Sequence, residues 1–329
     1  RPLALPGNPF AGALIDSTQA LELNTLPSSA VIIGAGAVAL EFASLWNAAG
    51  CEVTLLIRKD RVLSTWERRA SMTLTRELKR RGVNVIARTA VDRVDTGANL
   101  GATVHYRQGD SDEDRTAYGE VVLAAIGRVP NTDADWFRSS GLKLDERGYV
   151  TVDGYGRTNL DGVWALGDIT PGHALAHRAF EQGITIAEKI AGADPKPVID
   201  DTVPQVVFSF PEAASVGLTL DQAKAREDVV EPKETAYPML SNARMLMSGE
   251  GGSMTVVSGA FANNPDMQVV LGVHIVSPIA SDLIAEAEQL VGNRVPLADA
   301  ARLIHPHPTF SETLGEALLK ADGRPLHTR

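Results

Sequence analysis

"AVIIGAGAVALEFASLWNAAGCEVTLLI", residues 30–57, is the stretch that decides the fold. An apolar run, a glycine turn, an apolar-periodic segment and a second apolar run follow without a break. Each keeps the period of its element, so the order is strand, helix, strand. Two strands joined in this way lie parallel with a right-handed crossover. The turn GAGAVA (34–39) stands where the first strand becomes the helix, the setting in which such a pattern has meaning. Gly34 permits the tight turn, Gly36 lets a pyrophosphate approach the backbone, and Ala39 keeps helix and strand close. Unpaired N–H groups and the helix dipole favour that anion at the N-terminus. The bland alternative is a tight turn in an α/β domain without a ligand.

The second strand ends at Ile57, where a residue that reads the adenosine ribose is expected. NAD-selective sites usually place a carboxylate there. Here the chain runs into RKDR, and Arg58 and Lys59 suit the 2′-phosphate of NADP, because planar guanidinium matches phosphate. The reading therefore leans to NADP over NAD; the alternative is an ordinary solvated basic turn.

Outward from this unit, residues 1–28 are rich in Pro and Gly and read as a connector. On the other side come a charged helix around 73–82, a strand over 83–96, and a buried strand, EVVLAAIG, over 120–127. Residues 141–168 show short strands and turns, the last strand stopped by Gly167-Asp168, and 173–192 a long helix. A Pro- and Asp-rich linker then leads to alternating strands (205–210, 253–261, 268–276), a helix over 281–292, a His-Pro loop and a last helix. At 329 residues, two or three domains are expected. A net charge of −10 argues against nucleic-acid or membrane-surface partners. No apolar run is long enough to span a bilayer, and no signal-peptide pattern is present. Cys51 is the only cysteine, which suits the cytosol and excludes dithiol chemistry by this chain alone.

Five motifs occur in one order: GAGAVALE (34–41), AIGRVPN (125–131), ALGD (165–168), LAH (175–177) and HPHPTFSE (305–312). In that order the chain resembles the flavoprotein (pyridine nucleotide) disulfide oxidoreductases over essentially its whole length. The closing motif is most similar to dihydrolipoamide dehydrogenases, while GAGAVALE and IRKDRVL lean towards glutathione reductases. The resemblance implies an α/β chain in several parts. Residues 1–28 would be connector and FAD-domain remnant, 29–124 a Rossmann-like NAD(P)-binding domain, 125–200 the returning part of the FAD domain, and 201–329 an α+β dimerisation domain. It also implies that a flavin-binding half with a Cys-x4-Cys pair precedes this chain. The chain would then be a C-terminal piece, inactive alone, of an FAD-dependent NAD(P) disulfide oxidoreductase. FAD would belong to the parent rather than to this piece.

Residue by residue, the resemblance places Gly167 and Asp168 at the flavin ribityl chain, and Ala176 and His177 beside the isoalloxazine. It puts Gly127 and Arg128 beside the nicotinamide cofactor, and Glu41 near the nicotinamide, its usual lysine partner lying in the preceding half. Singly, each has a bland counterpart; His177 could be a satisfied core histidine. His307 would reach across a homodimer to the partner's dithiol, with Glu312 holding its ring. The chemistry suits the residue types: a thiolate attacks where a thiol does not, and an imidazole exchanges protons near neutral pH. TFSE also reads as a capping box, with Thr309 as N-cap and Glu312 at the third helical position. His305 and His307 without further ligands do not make a metal site. Lipoyl domains of a 2-oxo acid dehydrogenase or related complex are the implied partners, and lipoamide the implied substrate. Glutathione, mycothione or mercuric ion are alternatives within the class. A non-catalytic dimeric nucleotide-binding module is the alternative outside it.

Overall fold

A computed structural model describes residues 4–97 and 101–328. Two compact units divide the chain, one of residues 4–126 with 204–329, the other centred on residues 127–203.

In the first unit, β1 (Leu14–Ile15) and α1 (Ser17–Leu21) lead into β2 (Ser29–Ile33), α2 (Ala37–Ala48), β3 (Glu52–Ile57), α3 (Arg68–Arg80) and β4 (Asn84–Ala87). After β5 (Thr89–Thr96), β6 (Ala102–Gln108) and β7 (Arg115–Gly119), β8 (Val121–Ala124) returns to the first sheet. That sheet has the order β1-β8-β2-β3-β4 and every pair is parallel. Being covered on both faces, its strands are continuous apolar runs rather than alternating ones. Leu40, Ala43 and Trp46 of α2 pack on Ile32, Leu55 and Ile57.

The strand read over 83–96 is two strands. Arg88, at φ +58, turns the chain out of the parallel sheet into the antiparallel β5-β6-β7 ribbon, and its N–H donates to Lys59 O at 3.0 Å. The strand read over 120–127 ends at Ala124, with one further ladder bond from Ala125 N to Ile33 O.

The C-terminal section contains β9 (Gln205–Val207), β10 (Glu212–Gly217), α6 (Leu220–Ala225), β11 (Val229–Pro238), α7 (Ala243–Ser248), β12 (Ser253–Phe261), β13 (Asn264–Ser277), α8 (Ala280–Gly292), α9 (Leu297–Ala300) and α10 (Glu312–Ala321), with α4 and α5 left to the second unit. Its sheet, β11-β12-β13-β10-β9, is antiparallel throughout. Alternate residues of β12 face opposite ways. Met254 and Val256 join the core under α8 and α10, whereas the Ser253 and Thr255 hydroxyls meet Thr73 of α3 and Glu67, its N-cap. Val207, Ala213 and Val276 extend the same core as α2 and α3, so the two sections share packing.

Among the described residues the second unit has two α-helices, α4 (Asp135–Ser139) and α5 (Ala176–Ile190). Where short strands were read over 141–168, only isolated bridges form, Leu144 with Val150 and Arg157 with Trp164. The aspartates explain this: Asp145 accepts the N–H of Arg147 and Tyr149, and Asp153 those of Tyr155 and Arg157, closing turns where a ladder would need extension. The last strand read there, stopped by Gly167-Asp168, is reduced to the bridge at Trp164, and a 3-10 turn, Gly167–Ile169, follows it.

Candidate functional site

The glycine turn has the form its spacing called for. Gly34 adopts φ +141 and a methyl there would lie 2.2 Å from Ala125 O, so only glycine lets the strand turn so close to its neighbour. Gly36 caps α2 without any side-chain hydrogen bond, and a methyl on it would meet nothing within 4 Å. The first amides of a twelve-residue helix thus open onto free space above Gly36, a cradle that fits a pyrophosphate. Ala39 is fully buried beneath, its Cβ 3.4 Å from where a Gly34 methyl would sit.

Arg58 and Lys59 follow the last residue of β3 and are exposed. Among the described residues neither side chain has a hydrogen-bond or ion-pair partner. Glu41, on the first turns of α2, accepts the Phe208 N–H at 3.0 Å, and Ser44 Oγ accepts that of Phe210 at 3.1 Å. The segment 208–210 is thereby tied to α2, with the Arg81 guanidinium 3.8 Å over the Phe210 ring.

In the second unit, Gly167 has φ +73 and donates its N–H to Gln182 Oε1 at 2.9 Å. Asp168 next to it is exposed. The long helix begins at Ala176 rather than 173, capped by Leu175 with no side-chain hydrogen bond. Ala176 and His177 are both exposed on its open first turn, so His177 is not a core histidine. Gly127 takes φ +140 and Arg128 is exposed.

Sequence reasoning passed over the residue that holds this region together. Arg178 is buried, donating to Asp200 Oδ1 at 2.6 Å and to Pro171 O at 2.7 Å. A methyl on Gly172 would fall 2.2 Å from its guanidinium. Nothing in the sequence marks two residues twenty-two apart as partners.

His307 lies with its ring in solvent, 72% exposed, and its Nδ1 is 2.8 Å from Glu312 Oε1. The other Glu312 oxygen accepts the Thr309 N–H at 2.8 Å. Burial pushes the Glu312 carboxyl up, but the Thr309 N–H and the His307 ring outweigh it and hold the group below its usual range. The carboxylate thus orients the imidazole with Nε2 turned outward, able to take or give a proton.

The capping box is only half formed. Glu312 reaches back to Thr309, but α10 starts at Glu312 with Ser311 as N-cap, and Thr309 Oγ1 donates to Pro306 O at 2.7 Å. The threonine hydroxyl is spent on the loop, so it does not cap the helix. His305, two residues from His307, is half-buried against α8, its Nε2 2.9 Å from Glu286 Oε1. Cys51 is buried, and burial, then Glu120 and Glu52, push its thiol up to about 11. It is no nucleophile at neutral pH.

Comparison with known proteins gives the family. Residues 1–183 match the family described as pyridine nucleotide-disulphide oxidoreductase, and residues 203–318 match the dimerisation domain of the same family. A dihydrolipoyl dehydrogenase of Cupriavidus necator is 36% identical over 326 residues, 98% of this chain and 66% of the relative. One of Geobacillus stearothermophilus is 37% identical over 333 residues, 99% of this chain and 67% of the relative. The chain therefore spans about two thirds of the length of these curated relatives. The crystal structure of LpdA from Mycobacterium tuberculosis superposes with TM-score 0.84 at 29% identity, covering 97% of this chain and 67% of that one. The expected family is the one found: the chain belongs to the pyridine nucleotide-disulphide oxidoreductases, an FAD- and NAD(P)-dependent family, and carries that family's dimerisation domain.

Proposed function

We propose that this chain is the C-terminal part of a dihydrolipoyl dehydrogenase, working as a homodimer. The reaction oxidises dihydrolipoamide to lipoamide, closing its S–S bond, while two electrons and a proton reduce NAD(P)+ to NAD(P)H and a second proton is released. The bound flavin with a cysteine pair supplies the electron relay. What this chain's residues contribute is positioning and proton transfer. The α2 N-terminus at Gly34, Gly36 and Ala39 holds the nucleotide pyrophosphate. Arg58 and Lys59, exposed just past the end of β3, hold a 2′-phosphate, which favours NADP. Glu41, Gly127 and Arg128 flank the nicotinamide end. In the second unit Gly167 and Asp168 hold the ribityl chain, and Ala176 and His177 lie beside the flavin ring. The boundaries near 28, 124 and 200 separate these tasks. His307, steered by Glu312, takes the thiol proton of dihydrolipoamide next to the partner subunit's disulfide. Lipoyl domains of a 2-oxo acid dehydrogenase or related complex deliver the substrate. The cytoplasm is the proposed place of work; separately, no helix among the described residues is long and apolar enough to cross a membrane.

The observation that carries the reading is an exposed imidazole whose inner nitrogen is held at 2.8 Å by a carboxylate, in a chain of this family. In the full-length enzyme, His307→Ala should lower dihydrolipoamide oxidation by about 10²–10⁴-fold, the usual contribution of a general acid–base. Glutathione disulfide, mycothione and mercuric ion are the comparison substrates. A full-length enzyme indifferent to this substitution refutes the assignment.

A further inference from the structure

The loop that carries His307 is fastened on both sides of that residue. After it, the Asn242 side chain donates to Thr309 O at 3.1 Å. Before it stands His305, whose surroundings are unlike those of its neighbour. The His305 side chain is 9% exposed, that of His307 72%. Its Nε2 lies 2.9 Å from Glu286 Oε1 on α8. Its ring lies over Gly315 of α10, where a methyl would fall 2.5 Å from Nδ1, 2.9 Å from Cε1 and 3.3 Å from Cγ. Gly315 is helical, so no backbone demand selects glycine there, and in a helix interior glycine is weaker than alanine. What selects it is room for the imidazole. Gly315 also stands three residues beyond Glu312, on the same side of the helix. The ring two residues before His307 is therefore seated on the turn of helix that opens with the partner of His307.

We propose that the His305–Glu286 pair, seated on Gly315, is the brace that sets His307 against Glu312, and that all three are positioning residues for this dyad. The directional bond to α8 fixes the plane of the His305 ring, and the contact with Gly315 fixes its height over α10. Pro306, with its restricted φ, passes that placement on to His307. The outcome is the 2.8 Å between His307 Nδ1 and Glu312 Oε1. An apolar side chain could fill the space over Gly315, but nothing would hold it at one angle. The Glu286 hydrogen bond raises the His305 imidazole against the effect of burial, and Glu312 adds to this at longer range, so the brace and the dyad stand in one field.

The inference rests on reading His307 as the acid–base group, but its first test needs no turnover. A carboxylate only accepts, so at an alkaline pH where imidazole is neutral the bond to Glu312 keeps the His307 proton on Nδ1. Long-range proton–nitrogen NMR of this 329-residue chain reads that tautomer, its signals assigned by their loss in His307→Gln. Gly315→Ala should push the His305 ring off the helix and replace the Nδ1–H form by exchange between the two tautomers. Glu286→Ala, at a side chain 36% exposed, should do the same without disturbing the core. Glu286→Gln should keep the parent spectrum, because an amide oxygen still accepts from Nε2–H. In a His305→Ala background, adding Gly315→Ala should change nothing further, since the ring it would strike is gone. In the full-length enzyme, Gly315→Ala and Glu286→Ala should lower kcat for dihydrolipoamide about tenfold or more and leave KM almost unmoved. A contact that only stabilised the fold would shift the urea midpoint and leave the tautomer alone. A folded Gly315→Ala, or a Glu286→Ala, that keeps the parent tautomer overturns the proposal. Loss of that tautomer in the chain, beside a full-length enzyme indifferent to His307→Ala, would uphold the brace and dismiss the acid–base reading.

Discussion

Gly34→Ala and Gly36→Ala, two residues apart in one turn, should part folding from binding. A methyl on Gly34 lands 2.2 Å from Ala125 O and 2.9 Å from Ala125 C, at a backbone φ of +141. Neither obstacle can rotate away. Ala125 is pinned by its N–H to Ile33 O at 2.8 Å, and the neighbouring strands are locked in parallel register. Strain at such a dihedral costs about 1–3 kcal/mol and forced overpacking about 1–3 kcal/mol more. The sum is about 2–6 kcal/mol, and a backbone obstacle places it in the upper half. With a urea slope of about 3 kcal/mol/M, the unfolding midpoint should fall by about 1 M or more. Trp46, 1% exposed in the core beside this turn, reports the transition by fluorescence. Gly36 has φ −91 and open space around it, so Gly36→Ala should move stability by about 1 kcal/mol or less, the effect of a poorer N-cap. Its methyl instead occupies the approach to the helix amides, and NAD(P)H affinity should drop about tenfold or more. Unfolding of Gly34→Ala at the parent midpoint, or undiminished nucleotide binding by Gly36→Ala, would refute the reasoning.

Three other outcomes follow from buried or paired groups. The Glu286 hydrogen bond raises the His305 imidazole above its ordinary value, so its contribution to stability is complete below about pH 6.5 and fades as pH rises through the raised value. Glu286→Gln should therefore weaken the protein in urea at mildly acidic pH and leave its alkaline midpoint unchanged; equal losses at both would contradict this. Cys51 should resist thiol reagents in the native protein near pH 8 and react once denatured, because its thiol is buried and pushed up to about 11. Arg178→Met should destabilise the 127–203 unit by about 3 kcal/mol, at the low end for breaking a buried pair because Asp200 keeps some contact with solvent. Hydrogen exchange across α5 would measure it, and unchanged protection would count against the role given to this arginine.

The order strand, glycine turn, helix, strand was legible because its causes are local. Apolar runs have a period, and Gly34 and Gly36 stand where the first run gives way to the helix, although the neighbour that makes Gly34 obligatory, Ala125, is distant in sequence. The pairing of His307 with Glu312 came from the family resemblance, and their five-residue separation across a loop and helix start lets it form locally. The half-formed capping box was not legible, since whether the Thr309 hydroxyl turns to the helix or to Pro306 O is settled by the loop's path. Nor did any pattern mark Arg178 for Asp200, Glu41 for the Phe208 N–H, or His327 for Glu316. These partners lie 22, 167 and 11 residues apart, and a hydrogen bond responds to distance in space, on which sequence separation has no hold. Left to itself, then, the sequence settled the kind of protein and the residues able to carry charge or a proton. Tertiary structure alone decided which of them are held, by whom, and which face water, because burial and pairing are made by segments that meet only when the chain is folded.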